Sequence, residues 1–389
     1  MPAISGDAAG VFTTPGLPEV RWRVTTATAA TAGRQRLLVT AEAEGVKLSG
    51  EIEIDPATRD GSWRLADVTM DTAIWLPVIA ETFSLAQLKD LTLTGIVRLT
   101  GEGVLRAGVP DGTLAVTLRD ATLTHSDAAV TLEGVSADLH LDSLRPLRAS
   151  AEQVVTFRTA TAGGVTLTDG RVAFSLPDEN TLRITQASVQ VLGGHMETEP
   201  FALTLADPAA EVQAQARLAQ IDLKEILPLL TKTGISSAQG RLDGRMTLRW
   251  SARAGFLGGE MQLAGTPGAA APIIRLTPTP GLLTAHMPES FVLLPAWLGP
   301  LGRWTAARNP VFAPLRDIEL GRTSLRIESL GLRAQPKADG GGHLLRLQLV
   351  AQPVEASLVP KVSLDVNVDG PLQELLKMGL KENLSVGKP

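Results

Sequence analysis

The sequence predicts a mainly β protein: an elongated, curled antiparallel β-meander that forms an apolar groove, with a few short amphipathic helices. Three observations carry this expectation. Apolar and polar residues alternate in run after run, the period of a strand with one covered face. Glycine and proline, 37 and 25 of 389 residues, punctuate those runs at short intervals. Helical spacing is confined to a few short stretches, too little to cover the apolar side of so many strands.

Taken in order, residues 1–18 form an irregular lead-in. Val20, Trp22 and Val24 then alternate, as do Leu37, Val39 and Ala41, and Val46, Leu48, Gly50, Ile52 and Ile54. Asp71 opens a helix predicted over 72–83. The middle of the chain is strand after strand: Leu114, Val116 and Leu118; Leu139 and Leu141; Val189 and Val191; Ala214 and Ala216. A second helix is predicted over 222–233. Asp222 and Glu225 make a capping box, Ile221 and Ile226 a hydrophobic staple, and Leu223, Ile226, Leu227 and Leu230 one apolar face. Strands resume at Leu325, at Leu345, Leu347 and Leu349, and at Val362, Leu364, Val366 and Val368. Gly370-Pro371 begins a terminal helix over 371–380.

Asp71 precedes Leu76-Pro77 by the same spacing at which Asp222 precedes Leu227-Pro228, and each helix leads into a glycine-punctuated β-run. This reads as an internal repeat. The chain divides into N-terminal strands with the first helix (1–84), a central groove segment ending in helix 222–233 (85–233), and a C-terminal groove segment (234–389). The last segment carries a Pro/Gly-rich lid over 264–310.

Composition excludes several functions. Without cysteine there is no disulfide frame and no thiolate chemistry. A net charge of -5, with no run of Lys and Arg, argues against nucleic acid. The N-terminal residues do not read as a signal peptide. The longest apolar segment, Phe291 to Leu301, is broken by Pro295 and Pro300 and falls short of the roughly 18 residues of a membrane span. The chain is therefore expected to be cytoplasmic or a piece of a longer exported protein. His125, His140, His195, His286 and His343 are scattered, and neither a G-x-S-x-G elbow nor a phosphate loop is present. No constellation supports an enzyme, a metal or a cofactor.

Strands with one apolar face must cover it. The sheet either packs on another sheet or curls into a trough lined by aliphatic side chains. A trough suits acyl chains: each methylene removed from water is worth about 0.8 kcal/mol, so a phospholipid with roughly 30 methylenes faces a barrier on the order of 20 kcal/mol to crossing water.

The order Val189-x-Val191-Leu192-Gly193-Gly194-x-Met196, then Pro200-Phe201, Ile221-Asp222-Leu223, Ile226-Leu227 and Gly240-Arg241-Leu242-Asp243-Gly244, resembles the YdbH-like domain. So does the closing run Leu345-x-Leu347 through Val362 to Gly370. The resemblance spans roughly residues 85–385. It implies a branch of the AsmA-like and TamB-like bridge proteins, moving phospholipid through the periplasm between the inner and outer membranes of a Gram-negative cell. It also implies an inner-membrane anchor, which is not expected within these residues because no apolar stretch reaches membrane-spanning length, and a small outer-membrane lipoprotein partner. The family's older label, dicarboxylate transport, would want clustered arginine, which the sequence does not show.

On this reading the lipid-binding residues are Leu114, Val116, Leu118, Leu139, Leu141, Val189, Val191, Ala214, Ala216, Leu347, Leu349, Leu364 and Val366. In an open groove a charge at Ala216 would stay hydrated. Residues 361–369 are expected to offer an edge to the lipoprotein by β-augmentation. The competing reading is a structural or adhesive β-rich envelope protein with a packed core and no ligand.

Overall fold

The computed structural model describes residues 6–370 apart from 14–17, 28–32, 83–90, 126–129, 163–164, 208, 227–233, 252, 293–305, 337–342 and 356. Most described residues lie in strands. In chain order these are β1 (Asp7–Phe12), β2 (Val20–Ala27), β3 (Gln35–Ala43), β4 (Val46–Ile54), β5 (Gly61–Asp71), β6 (Leu91–Arg106), β7 (Val109–His125), β8 (Val130–Leu141), β9 (Ser143–Leu144), β10 (Leu147–Ala162), β11 (Val165–Asp178), β12 (Thr181–Val191), β13 (Gly194–Thr198), β14 (Phe201–Thr204) and β15 (Val212–Asp222). They continue as β16 (Ile235–Gln239), β17 (Arg241–Ser251), β18 (Gly255–Gly265), β19 (Ile273–Leu276), β20 (Ser290–Val292), β21 (Ala306–Arg308), β22 (Leu325–Pro336), β23 (His343–Pro353) and β24 (Val362–Gly370). The helices are α1 (Thr72–Thr82), α2 (Leu223–Ile226) and α3 (Phe312–Glu319). The expected terminal helix at 371–380 lies outside the described residues. The strand pairs of the described residues are antiparallel, so the mainly β antiparallel class holds.

The chain forms two compact units, Met1–Val189 with Glu199–Val212, and Gln190–Thr198 with Gln213–Pro389. In the first, β1 to β8 and then β10 and β11 pair in succession, a meander in which each strand hydrogen-bonds its predecessor. The alternation that predicted it is plain in β6. Leu91, Leu93, Val97 and Leu99 are buried or half-buried, while Thr92, Thr94, Arg98 and Thr100 are exposed.

A row of irregularities crosses this meander. Register shifts fall at Leu65/Val68, Thr94/Ile96 and Leu118/Ala121. Backbone φ is positive at Asp120 (46°), Gly134 (68°) and Asp169 (53°). Extra residues of this kind bend a strand and restore its facing. They allow Leu118 and Ala121, three apart, both to be buried, with Ala121 at 0 % exposure. A small core forms along this line from Val97, Leu118, Ala121, Val135 and Ala137.

The second unit closes a denser core. Strands β17, β18, β22, β23 and β24 pair in that order, and β19 joins β22 to β16. Leu242, Ile318 and Leu325 are fully buried, and Ile274 and Leu276 are 1 % exposed. Helix α3 supplies Ile318, and the Pro/Gly-rich stretch before it is fastened by Glu319. This carboxylate, 2 % exposed, accepts the backbone N–H groups of Leu283 (2.9 Å) and Thr284 (3.2 Å) and the Thr284 hydroxyl (2.7 Å). Burial pushes its pKa up, but these donors, with the Gly281 N–H, outweigh burial and hold it below the ordinary glutamate value.

The two predicted helix starts share one local device. Asp71 Oδ1 accepts the Ala73 N–H, and Asp222 Oδ1 accepts the Lys224 N–H. The Asp71 N–H donates to Gly45 O and the Asp222 N–H to Leu192 O, so a hairpin turn is tied to each helix start. Gly45 and Gly193 stand in these turns at φ 69° and 70°; an added Cβ would meet the Asp71 Cβ at 2.9 Å and the Asp222 Cβ at 3.1 Å. The capping box is accordingly half formed, because Leu192 takes the Asp222 N–H that Glu225 was expected to take.

Candidate apolar binding face

Cross-strand register turns the alternation into continuous rows, since a residue facing inward on one strand meets an inward residue on the next. One row runs Trp22, Ala41, Leu48, Val68, Leu99, Val116, Leu139 across β2 to β8. A parallel row runs Val24, Val39, Gly50, Leu65, Gly101, Leu114, Leu141. A third runs Met70, Val97, Leu118, Ala137, Val155 and Val172. Neighbouring strands are about 4.8 Å apart, so each row is a line of aliphatic side chains at right angles to the strands.

The rows differ in cover. In the third, Val97, Leu118 and Ala137 are buried where the bulges bend the sheet. In the first two, all but Val68 and Trp22 are half-buried; Val68 is 7 % and Trp22 38 % exposed. Among the described residues, helix α1 packs on β5 and β6, and its Trp75 indole N–H donates to Glu44 O at 2.9 Å. The opposite face is polar and cross-linked by ion pairs: Arg64 to Glu102 (3.1 Å), Arg119 to Asp138 (2.7 Å) and Arg158 to Asp120 (3.4 Å).

Two aromatic rings fill the space over glycines on this floor. The Trp22 ring covers Gly10, whose absent Cβ would stand 2.8 Å from it. Trp63 lies 3.2 Å from the Cβ position of Gly101, and its indole N–H donates to Asp111 O at 3.1 Å. Gln153, 3 % exposed, is the polar exception on β10. Its amide accepts from the His140 N–H (2.6 Å) and donates to Ala151 O (2.8 Å), so it presents no unmet group.

The residues proposed from sequence fall into two sets. Leu114, Val116, Leu139 and Leu141 sit in the half-buried rows, with Leu118 in the buried third row. Val189 is also buried. In the second unit Val191, Ala214, Leu364 and Val366 are half-buried, and Ala216, Leu347 and Leu349 are buried at 5 %, 4 % and 2 % exposure. A charge at Ala216 would therefore be buried rather than hydrated. Trp22, Val39, Leu48, Leu65 and Leu99, which share the rows, were not singled out from sequence, although their alternation is as regular.

In the second unit a row of Met246, Met261, Leu332, Leu347 and Val366 runs beside one of Leu263, Leu330, Leu349 and Leu364. Three of those four in the second row are in the closed core; Met246, Met261 and Leu332 are half-buried. Among the described residues β24 pairs with β23 alone, and Arg346 makes a bidentate pair with Asp365 across them. No group of three His, Asp or Glu side chains able to hold a metal occurs among the described residues.

Comparison with known proteins gives one match. The family model YdbH-like, described as intermembrane phospholipid transport protein YdbH, matches residues 3–257. The match takes in the N-terminal strands that the sequence resemblance left out and stops short of the closing strands. No curated protein and no solved structure matches the chain. Among the described residues no helix is long and apolar enough to cross a membrane. With well over half of its length matched, and with the β-rich architecture above, the chain belongs to the YdbH-like family of intermembrane phospholipid transport proteins, which work in the cell envelope.

Proposed function

We propose that the first unit holds phospholipid by its acyl chains on the half-buried rows of β2 to β8 and passes it from strand to strand, in the periplasm, between the inner and outer membranes. The observation that carries this is the pair of mostly aliphatic rows, one starting at Trp22 and the other containing Gly50 and Gly101, left partly open to solvent in a chain of this family. An acyl chain laid along a row exchanges water for aliphatic contact at about 0.8 kcal/mol per methylene, while its headgroup stays hydrated. Neighbouring sites differ little, so chains can step along the row. The second unit's half-buried Met246, Met261 and Leu332 would hold acyl chains in the same way, methionine being adaptable to irregular apolar partners. The one-sided β24 would accept a strand from a small outer-membrane lipoprotein by β-augmentation.

Native mass spectrometry of the purified chain tests the lipid reading. Adducts of phospholipid mass are expected; a lipid-free chain that takes up none from vesicles contradicts it. For the edge, Leu364→Pro should abolish lipoprotein capture, and unchanged capture by a folded variant would refute it. The packed-protein reading draws support from one observation, the closed core around Leu242, Leu325 and Ile318 in the second unit.

A further inference from the structure

In the meander of the first unit, the turns β2–β3, β4–β5, β6–β7 and β8–β10 fall at one set of strand ends, and those of β1–β2, β3–β4, β5–β6 and β7–β8 at the other. The first set carries Arg34, Arg59, Arg106, Arg145 and Arg148, all exposed. None of these guanidinium groups pairs with a carboxylate among the described residues. Within the strands Arg36, Arg64, Arg119 and Arg158 are paired, while Arg98, Arg171 and Arg183 form no ion pair among the described residues but stand apart on the polar face rather than gathered on one rim.

Acids on the same rim keep their charge while they accept backbone N–H groups, and the Asp142 carboxylate also lies in the field of Arg148. Asp55 accepts the Ala57 N–H (2.8 Å), Asp60 the Ala107 N–H (2.8 Å) and Asp142 the Ser150 N–H (2.6 Å). Asp111 accepts from Gly112 N–H (2.8 Å), Leu144 N–H (3.3 Å), Arg145 N–H (3.3 Å) and the Ser143 hydroxyl (3.2 Å). These bonds also lock successive turns together. Gly108 N–H donates to Arg59 O at 2.8 Å, and the Arg59 side chain lies 3.6 Å from the Cβ position of Gly108. The opposite rim carries Glu19, Glu44, Asp71 and Glu81, and the cations at its strand ends are paired, Arg21 to Glu19 and Lys47 to Glu42. The cationic rim ends at the next turn, Asp178-Glu179-Asn180, which is acidic.

The carboxylates of Asp55, Asp60, Asp111 and Asp142 on the same rim offset part of the positive charge, so the arginines tolerate one another while their guanidinium groups stay without an ion pair. They stand beside the apolar rows, and guanidinium matches phosphate oxygens in a bidentate fork.

Resting on the acyl-chain reading above, we infer that this arginine rim receives the phosphate of the lipid headgroup, so that the lipid lies across the meander with its head on one defined side. The inference names the part of the substrate that is selected: a glycerolipid bearing phosphate rather than a neutral one.

The test loads the full chain from nonionic detergent micelles containing equal amounts of dioleoylphosphatidylglycerol and dioleoylglycerol, then counts bound lipid by mass spectrometry. Wild type is expected to enrich the phospholipid on the order of tenfold, the size one charge-assisted hydrogen bond supplies. The variant Arg59→Gln, Arg106→Gln, Arg148→Gln should bind both lipids equally, with dioleoylglycerol binding unchanged. A control removing the same charge from the polar face, Arg98→Gln, Arg171→Gln, Arg183→Gln, should keep the enrichment. Equal binding by wild type, or equal loss in rim and control variants, overturns the rim. Wild type that binds neither lipid overturns the acyl-chain reading itself and the rim with it.

Discussion

The two units start from the same strand chemistry and end in different interiors. In the second, Ile221, Leu223, Leu242, Ile274, Leu276, Ile318, Leu325 and Leu330 are all but inaccessible. In the first, the buried apolar residues are mostly small, among them Ala80, Ala121, Ala137, Ala149, Ala160 and Ala173, and the large aliphatics of the rows stay half-exposed. Alternation alone does not decide between groove and core. What decides is whether something else lies on the face. In the second unit α3 and the stretch fastened to Glu319 do so. In the first, most of the large aliphatics of the rows stay half-buried among the described residues. On the proposed function, a transport surface is made by withholding a layer rather than by adding a site.

The largest expected effect lies in the closed core. Leu325→Ala and Leu242→Ala should each destabilise the chain by about 2–5 kcal/mol in chemical denaturation, the range for fully buried leucines. Leu99→Ala, on the half-buried row, should cost clearly less. Equal losses would erase the distinction between the units.

Acid should strike the second unit through Glu319. Its pKa is lowered on folding, so its stabilisation is present above the ordinary glutamate value and is lost as pH falls through the folded value. Thermal melts taken stepwise into acid should show wild type losing stability below the ordinary glutamate range. Glu319→Gln, weaker at neutral pH, should lose less across that window. Asp111, Asp138 and Asp365 shift in the same direction, so part of the slope should survive the substitution. Parallel pH profiles for wild type and variant would contradict the assigned role.

A smaller stability effect is expected for Val116→Glu. On a half-buried face the carboxylate reaches water, so the melting temperature should fall by only a few degrees, while bound phospholipid falls severalfold. By contrast Ala216→Glu, in a buried position, should unfold the second unit. The smallest effect belongs to the polar face: Arg64→Gln breaks a pair whose side chains are 67 % and 64 % exposed and should leave the melting temperature unchanged.

Much of this was legible in the sequence. Period-two alternation gave the mainly β class, and Asp71 with its apolar run placed a helix over 72–83 where Thr72–Thr82 is helical. Of the helix expected over 222–233, Leu223–Ile226 is seen and 227–233 lies outside the described residues. Helix α3 was missed, although Val311, Leu315 and Ile318 have helical spacing. Pro314 does not break it, being the third helical residue, in the first turn, where no intrahelical N–H is lost. The switch of inward set between Leu118 and Ala121 could not be read, because it depends on Asp120 adopting φ 46°. The cover over Leu347 and Leu349 and the gathering of Arg34, Arg59, Arg106, Arg145 and Arg148 on one rim are also products of topology. Residues so far apart in the chain show no pattern until the meander is built.

The central claim is that one face of the first unit, and not the other, carries acyl chains. A photo-crosslinking residue placed at Val116 and, in a second protein, at Thr117 compares the two faces across a single step of the chain, since neighbours on a strand face opposite sides. Each protein is loaded with phospholipid, irradiated and examined by mass spectrometry. The account predicts a lipid adduct at position 116 and none at position 117. Equal labelling at both positions, or labelling at 117 alone, would contradict it.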